Sequence, residues 1–377
     1  MQNPFFSEIS GNFGFGCMRL PMQNDEVNYD EFCRMADAFL DAGFNYFDTA
    51  HGYLGGKSET AIRECVAKRH DRSRFLLTDK LTDPYFNKQE DIRPFFESQL
   101  KACGVDYFDF YLMHAQDKTN YEKFKRCKAY ETAYAFKEEG LIRHFGISFH
   151  DKADVLDRIL TEHPEIEIVQ IQFNYVDYED ASVESRKVYE VCEKHRKPVI
   201  VMEPVKGGSL VNLPDAADKV LRALGGGSNA SYALRFAASF PNMAMVLSGM
   251  SNMEQMTDNL SAMHPFRPLD AREMQAVRDV CGIFKSLNLI PCTACRYCIE
   301  ESHCPKEILI PDQFAALNSH EAFHNWNSAF YYEEVLTVGH GKASDCIKCG
   351  KCEKVCPQHL KIRELLPKVA AAFEKNE

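Results

Sequence analysis

The sequence predicts an α/β chain, a closed (β/α)8 TIM barrel followed by a small, mainly helical, cysteine-rich domain. Three observations support this. Between about residues 13 and 265, eight short apolar runs alternate with amphipathic stretches at intervals of roughly 30 residues, the length of a βαβ unit. No Gly-x-Gly-x-x-Gly turn opens a helix after the first run, which favours a closed barrel over an open dinucleotide-binding sheet. After Pro291, eight of the chain's 15 cysteines fall into two tight groups.

The apolar runs are residues 13–18, 44–47, 75–78, 107–113, 144–148, 166–172, 198–202 and 243–248. Each is too short and too continuous for a surface helix and suits a strand buried on both faces. Helical periodicity fills 29–42, 58–69, 89–103, 121–139, 152–160 and 181–194, with Gly43, Gly104, Gly140 and Pro164 as stops. An extended loop is expected between the last two runs. A further helix over 269–287 closes the barrel, and the composition then shifts near 287–291. The expected domains are 1–288, the barrel, and 289–377, the cysteine-rich module.

Composition narrows the functional classes. With 45% hydrophobic and 26% charged residues the chain is globular, and a net charge of −11 argues against a nucleic-acid groove. No apolar run reaches 18 residues, and residues 1–16 lack a basic start with an apolar core, so neither a membrane span nor a signal peptide is expected. Cytoplasm is the expected location. The seven scattered cysteines (17, 33, 65, 103, 127, 192 and 281) read as buried small apolar residues.

Three consecutive runs end on ionisable residues, Asp48, Lys80 and His114, separated by 32 and 34 residues. In a barrel this step sets an acid, an ammonium and an imidazole side by side on the C-terminal rim. Tyr53 follows Asp48 on the loop above the same strand. One such residue alone would be a cap or a surface group; recurrence in step on three strands points to chemistry. A phenol ordinarily ionises near pH 10, so an adjacent Lys80, held by Asp48, is expected to lower Tyr53. That requires roughly 3–4 kcal/mol of differential interaction. A neutral His114 would aim a substrate oxygen at Tyr53.

Phe47-Asp-Thr-Ala50 with Tyr53 and Glu59, Thr78-Asp-Lys80, Leu112-Met-His114 and the opening Gly14-Phe-Gly-Cys-Met-Arg-Leu-Pro21 resemble the motifs of the aldo-keto reductase family. The resemblance covers about residues 10–265. It implies a barrel that binds NAD(P)H without a Rossmann motif, with Asp48, Tyr53, Lys80 and His114 as catalytic tetrad and Tyr53 as general acid. It also implies that Ser148 and Gln170 hold the nicotinamide amide, with Phe149 at the family's Asn position and Met202 replacing the ring-stacking aromatic. Asp258 and Asn259 match the adenosine-end motif, whereas Gly249 and Gln255 stand where basic residues grip a 2′-phosphate. Relaxed or NADH-leaning use is the resulting expectation.

The cysteine groups read C-x2-C-x2-C-x5-C-P from Cys292 to Cys304 and C-x2-C-x2-C-x3-C-P from Cys346 to Cys356. The second is the bacterial ferredoxin run for a 4Fe–4S cluster, in which the fourth Cys reaches the other cluster. That pairs Cys292, Cys295 and Cys298 with Cys356, and Cys346, Cys349 and Cys352 with Cys304, for two 4Fe–4S clusters, the second motif matching more closely. Zinc ribbons are the alternative, disfavoured by the third Cys and the Cys-Pro in both copies. The 41 residues between the motifs carry helical pattern at 310–317 and 329–337. The module resembles the ferredoxin-like extension of a subset of aldo-keto reductases. His303, His320, His324 and His359 read as surface or packing residues.

The leading functional reading is an NAD(P)H-dependent oxidoreductase that interconverts a small-molecule carbonyl and alcohol, accompanied by iron–sulfur electron transfer. The alternative is an electron-transfer or redox-regulatory protein with a catalytically silent barrel. Hydride is a two-electron carrier and each cluster passes one electron. The clusters could therefore pass electrons to a redox partner protein, join a radical step, sense redox state or hold the C-terminus.

Overall fold

In the computed structural model, residues 3–180, 183–287, 289–323 and 327–374 are described. Asn288, the first residues of the expected 181–194 helix, and His324 lie outside them. The chain divides into two compact units. The first comprises Met1–Asp180, Glu184–Pro204 and Ala230–Leu269, and the second Ala181–Val183, Val205–Asn229 and Asp270–Glu377. The segment Val205–Asn229, inserted before the last barrel strand, thus belongs to the second unit.

The first unit is a closed parallel barrel. Its strands are β1 (Phe13–Gly16), β2 (Tyr46–Asp48), β3 (Leu76–Leu81), β4 (Phe108–Gln116), β5 (Ile142–Phe149), β6 (Ile168–Gln172), β7 (Val199–Met202) and β8 (Met243–Gly249). Each pairs with the next, and β1 closes on β8 with Phe15 opposite Ser248. All eight expected strands form. β3 and β4 run three residues beyond their apolar cores, because Asp79, Lys80, His114 and Gln116 are polar yet fully buried or nearly so. Inside the barrel, Tyr46, Leu76, Phe110, Leu112, Ile168 and Ile200 form the core. The N-terminal segment covers the strand starts, with Phe6 set edge-to-face on Phe110 and the Asn3 amide donating to the Ala244 carbonyl at 2.6 Å.

Local chemistry explains most helix limits. Helix Tyr29–Asp41 begins where the Asn28 side chain accepts the Glu31 N–H, and it buries Phe32, Met35, Ala36, Phe39 and Leu40 on one face. Gln89–Cys103 ends on Gly104 at φ 70°, whose N–H caps Leu100. The expected single helix over 121–139 is instead two, Lys118–Arg126 and Ala129–Glu138, because Lys128 takes a left-handed conformation (φ 51°). The expected long loop before β8 contains helices Asp215–Arg222 and Asn229–Ala238. The expected 58–69 helix turns π-helical at Arg63–Ala67. There Cys65 forms a disulfide with Cys33, with a Cα–Cα distance of 4.6 Å. These two cysteines are therefore partners rather than isolated apolar residues; Cys17, Cys103, Cys127 and Cys192 are free and buried, as expected.

The second unit is mainly helical. Ala271–Leu287, Ile310–Phe323 and Ile362–Phe373 are its longer helices, and Phe314, Leu317, Leu366, Val369 and Phe373 supply much of its core. Among the described residues no helix is long and apolar enough to cross a membrane.

Candidate active site and thiol cages

Alternation along β2, β3 and β4 turns Asp48, Lys80 and His114 towards the barrel axis, while Phe47, Leu81 and Met113 point into the helical shell. Lys80 is fully buried and uses all three of its N–H groups. It donates to Asp48 Oδ1 at 2.7 Å, to the Thr49 carbonyl at 2.7 Å and to the Tyr53 hydroxyl at 3.3 Å. The other Asp48 oxygen accepts from Gln170 Nε2 at 3.0 Å, across the barrel on β6. Tyr53 is half-buried on a tight turn in which Leu54, Gly55 and Gly56 all have positive φ. Glycine accommodates that backbone without strain, so the Gly-Gly pair folds the loop back over the strand end. Ser58 fastens the loop by donating to the Cys17 carbonyl at 2.9 Å while bonding Thr49 Oγ1 at 2.7 Å. The Tyr53 and His114 rings lie 6.0 Å apart at 77°.

The electrostatics correct one expectation. Burial and the Asp48 carboxylate push the Tyr53 phenol well above its usual range instead of lowering it. The Lys80 charge is matched by Asp48 at 2.7 Å, so little of it remains to favour a phenolate. Tyr53 is thereby kept in its protonated, donor form. Burial and the Lys80 charge hold His114 well below the ordinary histidine range, so the imidazole is neutral at neutral pH. Its Nδ1 lies 2.9 Å from Thr82 Oγ1, which also reaches the Lys80 carbonyl at 3.2 Å. Thr82 has one hydroxyl proton: while it is donated to the Lys80 carbonyl, Nδ1–H donates to Thr82, and only when Thr82 turns to donate to Nδ1 does Nε2 carry the ring hydrogen.

Behind the strand lies a buried network that sequence reasoning missed. Gln99 Nε2 donates to Asp79 Oδ1 and to the Lys80 carbonyl, both at 3.0 Å, and its oxygen accepts from Tyr111 at 2.6 Å. Burial and the neighbouring Glu59 raise Asp79 well above the carboxylate range. Glu59 is in turn paired with His51 at 2.9 Å. These groups pin the backbone that carries Lys80. The available signal was a glutamine within the apolar face of Phe95, Phe96 and Cys103 on helix Gln89–Cys103; for Thr82 it was the two-residue step from Lys80.

The residues matched to the dinucleotide motif occupy the same rim. Ser148 and Gln170 are opposite each other on β5 and β6, and Met202 ends β7 opposite Gln172. Asn259 donates to Ser248 Oγ at 2.8 Å, one residue before Gly249, and Asp258 precedes it on helix Met253–Met263. Gln255 accepts the Ser251 N–H at 2.7 Å. Arg19, from the opening Gly14–Pro21 stretch, runs its side-chain stem across Gly249, about 3.3–3.5 Å from where a Cβ would stand.

In the second unit, Cys292, Cys295, Cys298 and Cys356 line one cavity with Ile310 and Phe314. Cys304, Cys346, Cys349 and Cys352 line another with Ile308 and Leu366, and Ile310 borders both. In each motif the residues flanking the middle Cys are left-handed, Ala294 (φ 53°) and Arg296 (φ 70°) around Cys295, Lys348 (φ 58°) and Gly350 (φ 75°) around Cys349. The two loops thus turn their thiols inward in the same way. Burial and the neighbouring thiols push Cys352 up to about 11, and raise Cys298 further. Four thiols so placed ionise together only around a cation, and a soft thiolate set in an apolar cavity fits an iron–sulfur cluster.

Comparison with known proteins finds one family over the barrel and another over the cysteine motifs. The Aldo/keto reductase family model matches residues 12–281, and a 4Fe-4S dicluster domain model matches residues 291–360. The uncharacterized oxidoreductase YqkF of Bacillus subtilis is 25% identical over 306 residues, covering 70% of this chain and 90% of that protein. Shorter matches at 28–29% identity span about half or less of their relatives' length, 43–52%. Among solved structures, aldo-keto reductase AKR11C1 from Bacillus halodurans superposes with a TM-score of 0.60 at 23% identity, covering 74% of this chain and 95% of that one. An aldo-keto reductase from Klebsiella pneumoniae in complex with NADPH gives 0.57 at 20% identity, covering 71% and 90%.

The Lys80–Asp48 pair predicts an asymmetric stability effect. Lys80→Met leaves a buried carboxylate without its cation and should cost about 3–5 kcal/mol. The double change Lys80→Met with Asp48→Asn should recover a large part, because no charge is left buried. Thermal or urea unfolding of the three proteins checks this; equal losses in the single and double variants would contradict it.

Proposed function

The chain belongs to the aldo/keto reductase family, and from that premise we propose that its barrel interconverts a carbonyl and an alcohol with NAD(P)H, with Tyr53 as the general acid. The observation that carries this reading is Lys80 bonded at once to Asp48 and to the Tyr53 hydroxyl, with neutral His114 beside the phenol. Bound NAD(P)H supplies a hydride to the carbonyl carbon. Tyr53 gives its proton to the carbonyl oxygen as negative charge develops there. An alkoxide is a far stronger base than a phenolate, so a phenol pushed up by burial still donates downhill. Lys80, already within reach, then steadies the phenolate, and His114 orients the oxygen through Nε2–H in the tautomer in which Thr82 donates to Nδ1. Ser148 and Gln170 are proposed to hold the nicotinamide end, Met202 to pack on the ring, and Gly249, Asp258 and Asn259 to line the adenosine end.

The second unit is proposed to hold two 4Fe–4S clusters in the two cages, within a domain organisation of 1–288 and 289–377. Thiolate ligands persist most readily in a reducing compartment, and the cytoplasm is the location proposed, with the Cys33–Cys65 disulfide an exception to the usual reduced state there.

Tyr53→Phe should lower carbonyl reduction about 10²–10⁴-fold while leaving NAD(P)H binding intact. Stopped-flow assays over a carbonyl panel read this. An undiminished rate would remove Tyr53 from the mechanism, and a wild-type protein that oxidises NAD(P)H with no carbonyl would favour the redox-regulatory alternative. Relaxed dinucleotide use predicts Kd values for NADH and NADPH within about tenfold, or 1.4 kcal/mol, of each other; a strong NADPH bias would sink it. Protein purified without oxygen should carry about eight iron atoms per chain, and Cys356→Ser should remove about half while sparing the other cage. Stoichiometric zinc instead would refute the assignment.

A further inference from the structure

The surface around the second thiol cage differs in charge from the rest of the chain. Lys306, Lys351 and Arg363 line this cage with no Asp or Glu among its lining residues, in a chain whose net charge is −11. Lys306 and Lys351 line the mouth of this cage, Lys348 lies in its Cys346–Cys349 loop, and all three are exposed. None of the three forms an ion pair among the described residues, whereas nearby Arg363 is held by Glu353 at 2.6 Å. Among these cations sits Ile347, which borders the cage and is 57% exposed. Cys349 is the one exposed cysteine of the eight. The first cage is different, since its Arg296 is paired with Asp312 at 3.0 Å, its cysteines are buried or half-buried, and Glu300 and Glu301 follow Cys298.

We propose that this face, Ile347 with Lys306, Lys348 and Lys351 around it, docks a small acidic one-electron carrier protein. The proposal rests on the reading that the cage beneath holds an iron–sulfur cluster. An apolar centre with a polar, charged rim is the anatomy of a protein interface. A chain of net charge −11 repels an acidic partner except where cations are concentrated, so these lysines select the approach and raise the encounter rate. Exchange of a single electron requires no bond to form or break, only close approach, and the exposed Cys349 loop is where a partner comes nearest to the cage. A polyanion such as DNA would meet unfavourable charge over the rest of the chain, and Ile347 offers it no flat face on which bases stack.

The test uses the full-length protein, purified anaerobically, with iron and acid-labile sulfide measured on each sample. A purified bacterial flavodoxin is the acidic probe, horse cytochrome c the basic counter-probe, and a double-stranded DNA 20-mer the polyanion control, each followed by isothermal titration at low and high salt. Flavodoxin is expected to bind with an affinity that falls with salt, and K348E with K351E should weaken it about tenfold or more. The neutral pair K348Q with K351Q should give an intermediate loss at wild-type iron content, which separates lost charge from lost cluster. Unchanged flavodoxin affinity in both double variants would overturn the proposal, as would tighter binding of cytochrome c or DNA than of flavodoxin. Wild-type protein without iron would refute the cluster reading on its own, since the titrations read docking independently of iron.

Discussion

The barrel's chemistry depends on one buried ion pair. Lys80 and Asp48 are both withdrawn from water, and removing either charge from solvent costs several kcal/mol unless the partner's geometry compensates. Here every Lys80 proton and both Asp48 oxygens are engaged, by Thr49, Tyr53 and Gln170 as well as by each other. The saturation has a further consequence. A cation whose charge is already matched acts on the phenol mainly as a hydrogen-bond donor, which leaves Tyr53 protonated and in a fixed position. The pair therefore holds a protonated phenol in place; it does not create a standing phenolate.

The strands were readable because barrel strands buried on both faces leave continuous apolar runs, and the three ionisable ends were readable because each interrupts such a run at a βα period. Their partners were harder to read. Gln170 meets Asp48 from 122 residues away across the barrel axis, a contact that depends on closure and register. Thr82 and Gln99 are common polar residues whose meaning comes only from the groups beside them. The disulfide between Cys33 and Cys65 joins two cysteines 32 residues apart, each indistinguishable in sequence from a buried apolar residue. Helix Asp215–Arg222 escaped because it is short and lies between Pro214 and a run of three glycines, which reads as loop.

The C-terminal unit shows the opposite balance. Its thiol pattern was explicit in sequence, since three cysteines at a three-residue step followed by a Cys-Pro are the run of an iron–sulfur ferredoxin. Its scaffold was less explicit, because Phe314, Leu366 and Phe373 come from helices separated by segments with little periodicity. The thiols are grouped in crossed fashion, and Ile310 borders both cages. Each motif supplies three thiols to its own cage, and the fourth arrives from the far end of the other motif.

The two units differ in electron count. In the proposed reaction a hydride and the Tyr53 proton convert a carbonyl to an alcohol with nothing left over, so that reaction balances without one-electron carriers. A pair of thiol cages is costly to maintain, since eight cysteines must be kept reduced and loaded, and a structural role would be served by zinc or by apolar packing. Electrons passing through the cages therefore need a source or sink other than the barrel's own half-reaction, unless a further cofactor splits the hydride. In the proposed docking, Lys306, Lys348 and Lys351 at one cage, unpaired among the described residues, against the Arg296–Asp312 pair at the other, distinguish the two. On that proposal the electrostatics of the surface, more than the chemistry proposed for Tyr53, select the partner.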